Sequence, residues 1–420
     1  MTTTVRPTTV RPTLDHAPRL MLYAHDTYGL GHLRRSLAIA GHLAGAIPDL
    51  TTLLVTGSPV AHSFALPPRT DYVKLPAVVK TDDEQYRARA LDLSLARVIA
   101  LRAALIADVA LHFAPDIVLV DHAPLGMKGE LLPALRALRR DAPDTRLVLG
   151  LRDVLDEPAK VRRQWAAQGM YDAIETWYDD VLVYGQRDLF DPVRAYAFPP
   201  ALAARTHVCG YIRRADPVRP AAALRAELGL GDAPFALVTT GGGGDGAALE
   251  EACLDALALL TGRHALPAVV LTGPLMAPEE CARLEERAGA LPRPVRLLPF
   301  HPDVPGLMRA SALTVAMGGY NTTCEIVAAG CPAVIVPRAH PRLEQDIRAR
   351  AFAARGLLTM LPMEDLTPAH LAATMRHALR QGPPSDAVRA RWDDGGLPRI
   401  AARIAALLPA RRETGRRVTA

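Results

Sequence analysis

What the 420-residue chain lacks narrows its function before any motif is read. Its five cysteines, Cys209, Cys253, Cys281, Cys324 and Cys331, form no CxxC pair and stand near no histidine at zinc-ligand spacing. That argues against a zinc module or a disulfide scaffold and leaves buried free thiols in a reducing compartment. There are four lysines, so the 49 basic residues are nearly all arginine, scattered among alanines. A net charge of +5 and a pI near 9.0 therefore do not imply a nucleic-acid partner, which would concentrate its charge in a patch or stripe. No apolar run approaches the roughly 18 residues of a membrane-spanning helix. Residues 1–18 repeat TTVRP and lack the apolar centre of a secretory signal. They read as a disordered lead-in, and 411–420 as a disordered tail. These absences predict a cytoplasmic enzyme, with peripheral contact at the inner face of a membrane as its route to lipid.

What is present is an alternation. Short apolar runs at Leu20–Ala24, Thr52–Thr56, Ile117–Val120, Leu147–Leu151, Asp180–Tyr184 and His207–Gly210 are separated by helical patterns. The stretch from Tyr211 to Pro220 is polar, carries two prolines and reads as a connector. A second series follows at Phe235–Thr239, Ala268–Thr272, Val295–Leu298, Leu313–Ala316 and Ala333–Val336. Strand–helix alternation builds parallel sheets covered on both faces. The expected fold is therefore α/β, with two Rossmann-like doubly wound domains facing across a cleft. Residues 19–213 make the first domain, 214–220 the linker and 221–395 the second. Residues 396–410 make a helix that packs back across the junction.

Each half opens with strand, glycine loop and helix. In the second half the loop is Gly241-Gly242-Gly243-Gly244-Asp245-Gly246. Glycines let backbone N–H groups approach an anion, and the helix N-terminus adds a positive dipole end. No Gly-Lys-Ser/Thr follows, and no acid ends the next strand, so neither a Walker loop nor a dinucleotide fingerprint is present. A glycine-rich connector is the bland alternative. In the first half the loop is Gly29-Leu30-Gly31-His32. A tight turn with a capping histidine is the alternative to a histidine that accepts a substrate proton at the cleft rim.

The longest informative stretch runs from Pro299-Phe300-His301-Pro302-Asp303-Val304 to Ala349. Gly318-Gly319 follows a strand. Asn321, Thr322 and Thr323 are N-cap residue types, and Glu325 is placed in the first turn of the helix they would cap. Gly330-Cys331-Pro332 ends that helix, and His340 precedes Gln345 by His-x-x-x-x-Gln spacing. This order resembles the donor-binding region of family-28-like glycosyltransferases of the GT-B fold. It is similar to the lipid II-forming N-acetylglucosaminyltransferases, in a separate branch. The likeness covers most of the chain from Leu20 to about Ala410 and is strongest from Phe235 to Ala349.

The resemblance implies that Glu325 holds the ribose hydroxyls of a nucleotide sugar. Gly318 and Gly319 let backbone approach the nucleotide, with Asn321 and Thr322 beside it. Gln345 and Glu344 contact the donor sugar. Gly241, Gly242 and Gly243 lie near the diphosphate, and Phe300 lies near the loop that reads the base. Gly29, Gly31 and His32 face the acceptor. Three departures mark the separate branch: Glu344-Gln345 in place of paired glutamines, Met-Gly-Gly-Tyr in the small-residue loop, and Tyr23-Ala24-His25-Asp26-Thr27 as the lead-in.

No Asp-x-Asp occurs in the chain, and Glu325 is followed eight residues later by Ala333 rather than an acid. The expectation is thus transfer of a hexose or N-acetylhexosamine from a UDP-linked donor, inverting, without metal or cofactor. The acceptor is a small molecule or lipid-linked. One general base is required; the candidates are His32, Asp26 and Asp121, with His25 and His122 beside them. Arg152 either binds an anionic acceptor or pairs with a neighbouring acid, and the pair is the expectation. Residues from Phe64 to Lys80 are apolar with basic flanks; an ordinary loop and strand or a lipid contact would both account for them. A nucleotide-sugar epimerase and a catalytically silent nucleotide-sugar-binding protein are the rival readings.

Overall fold

The computed structural model describes residues 13–14, 16–25, 31–80, 86–214, 219–231 and 233–411. Asp26, Gly29, most of the expected linker and most of both termini lie outside the described residues.

Seven strands form the first sheet: β1 (Arg19–Ala24), β2 (Thr51–Thr56), β3 (Thr70–Lys74), β4 (Ile117–Asp121), β5 (Arg146–Arg152), β6 (Asp180–Tyr184) and β7 (Thr206–Val208). Their order is β7-β6-β5-β4-β1-β2-β3, and every neighbouring pair is parallel. Six strands form the second: β8 (Ala236–Thr239), β9 (Ala268–Leu271), β10 (Val295–Leu298), β11 (Leu313–Ala316), β12 (Ala333–Ile335) and β13 (Thr359–Met360). Their order is β10-β9-β8-β11-β12-β13, again all parallel. The central strands read as continuous apolar runs because helices cover both faces; β4, β6, β8 and β11 are buried along their whole length. The edge strand β3 and the two-residue β13 go beyond the expected set, since their half-exposed residues leave little apolar signal.

Six helices matter for the site: α1 (Gly31–Ala46), α2 (Leu95–Phe113), α3 (Ala247–Ala258), α4 (Tyr320–Ala329), α5 (Glu344–Ala353) and α6 (Gly396–Leu407). Chain order reverses between β1 and β4 in the first sheet and between β8 and β11 in the second. In open α/β sheets the crevice beyond the strand ends at such a reversal is where ligands bind.

The two halves are packed together. Tyr211 is fully buried among Tyr320, Phe352 and Trp392, at ring-centroid distances of 5.9, 5.4 and 5.8 Å. Tyr211 and Ile212, read from sequence as the start of a polar connector, are therefore core of the junction. Helix α6 lies against the first half: its Gly396 N–H donates to the Tyr211 carbonyl, and Arg403 pairs with Asp180 at 2.5 Å. Thr13–Leu14 pairs in parallel with Ala410–Arg411, which corrects the reading of both ends as wholly loose. Backbone pairing of two residues leaves no sequence pattern to find.

Residues Phe64–Lys80 form the ordinary loop and strand that was one of the two readings. Leu75 and Val78 are buried, and Thr70–Lys74 is the edge strand. Exposed large apolar side chains occur at Leu66 within this segment and at Leu91, Leu93, Leu101 and Leu105, before and along α2. Among the described residues no helix is long and apolar enough to cross a membrane.

Candidate active site

The register of the first sheet builds the site. Ala24 of β1 pairs with Asp121 of β4, and Asp121 pairs with Gly150 of β5. His25, His122 and Arg152 therefore emerge together at the carboxyl edge. His32 lies in the first turn of α1, directly above. Its Nδ1 is 2.6 Å from Asp121 Oδ2. The Arg35 guanidinium, one turn along α1, grips the same carboxylate, with Nε 2.9 Å from Oδ1 and Nη2 2.6 Å from Oδ2. Burial pushes the Asp121 carboxyl up, but the Arg35 charge and the His32 contact outweigh it and hold the group well below the usual carboxylate range. An ionised carboxylate can only accept. His32 Nδ1 must then carry a proton, so the neutral form of the ring has its lone pair on Nε2. His32 and Asp121, expected as rival bases, are one unit: an imidazole and the carboxylate that orients it.

Three imidazoles gather here. The His32 ring centroid is 4.7 Å from that of His25 and 5.5 Å from that of His122. Burial, then neighbouring positive groups, holds both His25 and His122 well below the ordinary imidazole value, so both are neutral near pH 7. Beneath them, Arg102 pairs with Glu130 and donates to the carbonyls of His25 and Pro76 at 3.3 and 2.7 Å, fixing the end of β1. Tyr23 closes this buried network against Glu130.

Across the junction, the Gly241–Gly246 loop follows β8 and packs on the turn after β9. A Cβ on Gly243, at φ +88°, would lie 2.1 Å from the Thr272 carbonyl oxygen, and one on Gly273 would strike the Gly242 backbone. The loop is thus held backbone against backbone, and Gly273 is a part of it that the sequence reading omits. Gly242 contributes its carbonyl to Leu275 N–H. Under the loop, Thr240 donates to the buried Glu250 of α3, at 2.6 Å. Burial pushes the Glu250 carboxyl up to about 7.

Gly318 and Gly319 follow β11. The expected caps of α4 are corrected: Gly319 is the N-cap, with no side-chain bond, and Asn321 and Thr322 lie inside the first turn. Asn321 instead donates across the junction to the Gly31 carbonyl, at 3.0 Å. Glu325 is in the second turn rather than the first. It faces Arg214, at 3.3 Å. Its crevice is lined by Arg34, Arg35, Ile212, Arg214 and Asn321 and holds about 10 Å³, the room of one water. A nucleotide therefore needs the halves to part or Arg214 to move.

Glu344 and Gln345 open α5. Both turn toward Arg338: Glu344 Oε1 is 2.9 Å from its Nη2, and Gln345 Oε1 accepts its backbone N–H at 3.1 Å. Arg338 also bonds Asp245 of the glycine loop at 2.7 Å. Phe300 is 46 % exposed at the rim. The expected pairing of Arg152 with its neighbour is corrected, because Asp153 is committed to Arg348 of α5, 2.7 Å away, with both side chains buried. Arg348 also donates to the Gly318 carbonyl at 3.0 Å. Arg35, Arg338, Arg348 and Asp153 join Gly273 as site residues that sequence reasoning misses. Arg35 carried one signal, its i+3 spacing from His32, which places both on one helix face. Among the described residues no group of three or more His, Cys, Asp or Glu is arranged to hold a metal ion.

Residues 236–391 match the glycosyltransferase family 28 C-terminal domain. A UDP-N-acetylglucosamine--N-acetylmuramyl-(pentapeptide) pyrophosphoryl-undecaprenol N-acetylglucosamine transferase of Methylobacterium nodulans is 31% identical over 204 residues, covering 47% of this chain and 54% of that protein. The chain thus spans about half the length of the curated relatives it matches. The calicheamicin glycosyltransferase CalG4 superposes with a TM-score of 0.57 at 20% identity, over 93% of this chain and 98% of that one. A putative UDP-N-acetylglucosamine 2-epimerase from Listeria monocytogenes superposes with a TM-score of 0.58 at 14% identity, over 93% and 95%. These structures show the fold, which is GT-B.

Proposed function

We propose that this chain, with a family 28 C-terminal domain at residues 236–391 in a GT-B fold, is a glycosyltransferase. It moves a hexose or N-acetylhexosamine from a UDP-linked donor to an acceptor hydroxyl, with inversion and without metal. The observation that carries the reading is the His32–Asp121 dyad, anchored by Arg35 at the junction of the halves. The His32 Nε2 lone pair takes the acceptor proton as the hydroxyl attacks the sugar carbon. Asp121 stays ionised and stabilises the imidazolium that forms, as in other oriented-histidine sites. The leaving diphosphate is met by the Gly241–Gly246 loop and the N-terminus of α3. Glu325 is assigned the ribose.

A lipid-linked acceptor would approach the first half, where the exposed Leu91, Leu93, Leu101 and Leu105 stand near the exposed Arg87, Arg89 and Arg97. Sedimentation with anionic vesicles tests this contact, and protein that stays in the supernatant refutes it. The transfer reading is tested by release of UDP from a panel of UDP-sugars across acceptor extracts. Acceptor-dependent release that is lost in His32→Ala supports it. Donor conversion without any acceptor would favour an epimerase instead, and binding without turnover a sensor.

A further inference from the structure

Glu250 is an acid that the transfer chemistry does not use. It is fully buried in the first turn of α3. Its Oε1 accepts from the Thr240 hydroxyl at 2.6 Å, while Oε2 is buried without a hydrogen-bond partner among the described residues. The titratable groups that act on it are Glu280, on the helix Pro278–Gly289, and the Cys253 thiol on its own helix. Neither is a cation. The nearby Arg283 and Arg287 go to Glu251 instead, at 3.1 and 3.6 Å. A buried carboxylate with one hydrogen bond and no counter-charge is costly, so burial favours the neutral acid. Burial raises the carboxyl, the Thr240 bond lowers it and the Glu280 charge raises it, which leaves it at about 7.

The place of this proton gives it a consequence. Helix α3 begins where the glycine loop ends: Gly246 is its N-cap, and no side chain caps it. Thr240, which holds the carboxyl, is the residue before the loop, and a Cβ on Gly246 would lie 2.2 Å from its Oγ1. The Glu250 N–H donates to the Gly246 carbonyl at 3.1 Å. The Thr240–Glu250 bond therefore spans the loop, from the residue before it to the helix after it. An acid in the first turn of a helix and an anion docked at its N-terminus draw on the same dipole. Ionised, Glu250 takes up that dipole and repels the anion. Neutral, it leaves the N-terminus to the ligand.

We propose that Glu250 is a positioning residue for the donor, which must keep its proton for the Gly241–Gly246 loop to accept the diphosphate. The inference rests on the transferase reading and adds to it the charge state of the loop. A bound diphosphate makes the carboxyl hold its proton more tightly, because a nearby negative charge disfavours the ionised form. Donor affinity is therefore full below the free carboxyl's value of about 7 and falls as pH rises above it. In that range binding takes up a proton.

The test is calorimetry on the full chain with two probes, UDP and uridine, between about pH 6.5 and 8.5. Wild-type affinity for UDP falls roughly fivefold or more across that range, the result of a rise of about one unit in the bound state. At the upper end the heat differs between buffers of different ionisation enthalpy, as proton uptake requires. Uridine, which has no diphosphate, shows neither effect. Glu250→Gln cannot ionise; it binds UDP like wild type at the acid end, more tightly than wild type at the basic end, and without the buffer dependence. The titration of UDP itself is common to both proteins and cancels. Thr240→Val removes the bond that favours the charged form, so its fall in affinity begins at a higher pH. That variant decides the matter if Glu250→Gln does not fold, and an unshifted profile in it overturns the proposal. The same fall in wild type and Glu250→Gln, or a fall shared by uridine, also overturns it. UDP binding to wild type that is flat with pH removes the proposal and leaves the transferase reading standing. If wild type binds no UDP at any pH, the transferase reading fails and the proposal falls with it.

Discussion

Asp121→Asn separates the two roles of the carboxylate. It keeps the shape and can still accept from His32 Nδ1–H, but it removes the charge that Arg35 grips at 2.9 and 2.6 Å. Arg35 is 3 % exposed, so its guanidinium is left buried and uncompensated. Breaking a buried pair from one side costs about 3–5 kcal/mol. At about 2–4 °C per kcal/mol for a domain of this size, the melting temperature falls by roughly 6–20 °C. The imidazolium formed on proton transfer also loses its counter-charge, and kcat falls by about 10²–10⁴. The double variant Arg35→Met/Asp121→Asn takes away the stranded charge. It should recover most of the melting temperature and none of the kcat. The assay is UDP release at saturating donor and acceptor, with differential scanning calorimetry on the same preparations. Recovery of kcat together with stability would refute the reasoning, because Asp121 would then matter only as an anchor for Arg35. Wild-type turnover in Asp121→Asn below its melting temperature would refute it as well.

Glu325→Ala should weaken UDP binding by roughly 10–150-fold, the worth of charged hydrogen bonds to two hydroxyls. Unchanged affinity by calorimetry would remove the ribose assignment. Gly243→Ala places a Cβ 2.1 Å from a backbone oxygen at φ +88°. The strain is about 1–3 kcal/mol or more and displaces the loop, so both melting temperature and UDP affinity should drop; a variant that melts and binds like wild type contradicts the packing described. Glu250 has a folded-state value near 7 against an ordinary 4.5. The folded protein therefore holds its proton more tightly, and stability from this group is lost as pH rises between those values. At 1.36 kcal/mol per unit the loss is about 3 kcal/mol. Glu250→Gln cannot ionise, so it should match wild type at the acid end and melt higher above pH 7; parallel stability curves would exclude the effect.

The framework was legible because each half is a series of buried parallel strands, and a strand buried on both faces announces itself as an apolar run. β6 and β11 stand where those runs place them. The edge strand β3 carries half-exposed residues in TDYVK, so its pattern is weak. The chemistry was legible residue by residue but not in its grouping. His32 and Asp121 are 89 residues apart, and only the reversal of chain order between β1 and β4 makes them neighbours. Sequence offered them as competitors for one role, whereas the sheet register joins them in one hydrogen-bonded pair. Arg35 was hidden by composition, since one arginine among so many carries little information.

Asn321 shows why local rules run out at this junction. Its residue type and its place beside a helix start both argue for an N-cap, and a lone helix would gain from one. In the fold the helix begins at Tyr320 instead, because Tyr320 is needed in the core, where its hydroxyl accepts from Ile212 N–H and its ring lies under Arg35 and Arg348. That shift carries Asn321 into the first turn and turns its amide to Gly31, 290 residues away. The cap is given up and a tie between the first glycine loop and α4 is gained. Asp153 follows the same logic: the nearest arginine in sequence is Arg152, but the carboxylate goes to Arg348 from the other half. That choice locks the junction and leaves the Arg152 Nε without a hydrogen-bond partner among the described residues. Both departures from local expectation fall where the two halves meet, at the only place where a residue must satisfy its own helix or strand and the opposite domain at once. Departures from local rules in a two-domain chain are therefore themselves a guide to the cleft, and here they mark the same residues that the chemistry needs.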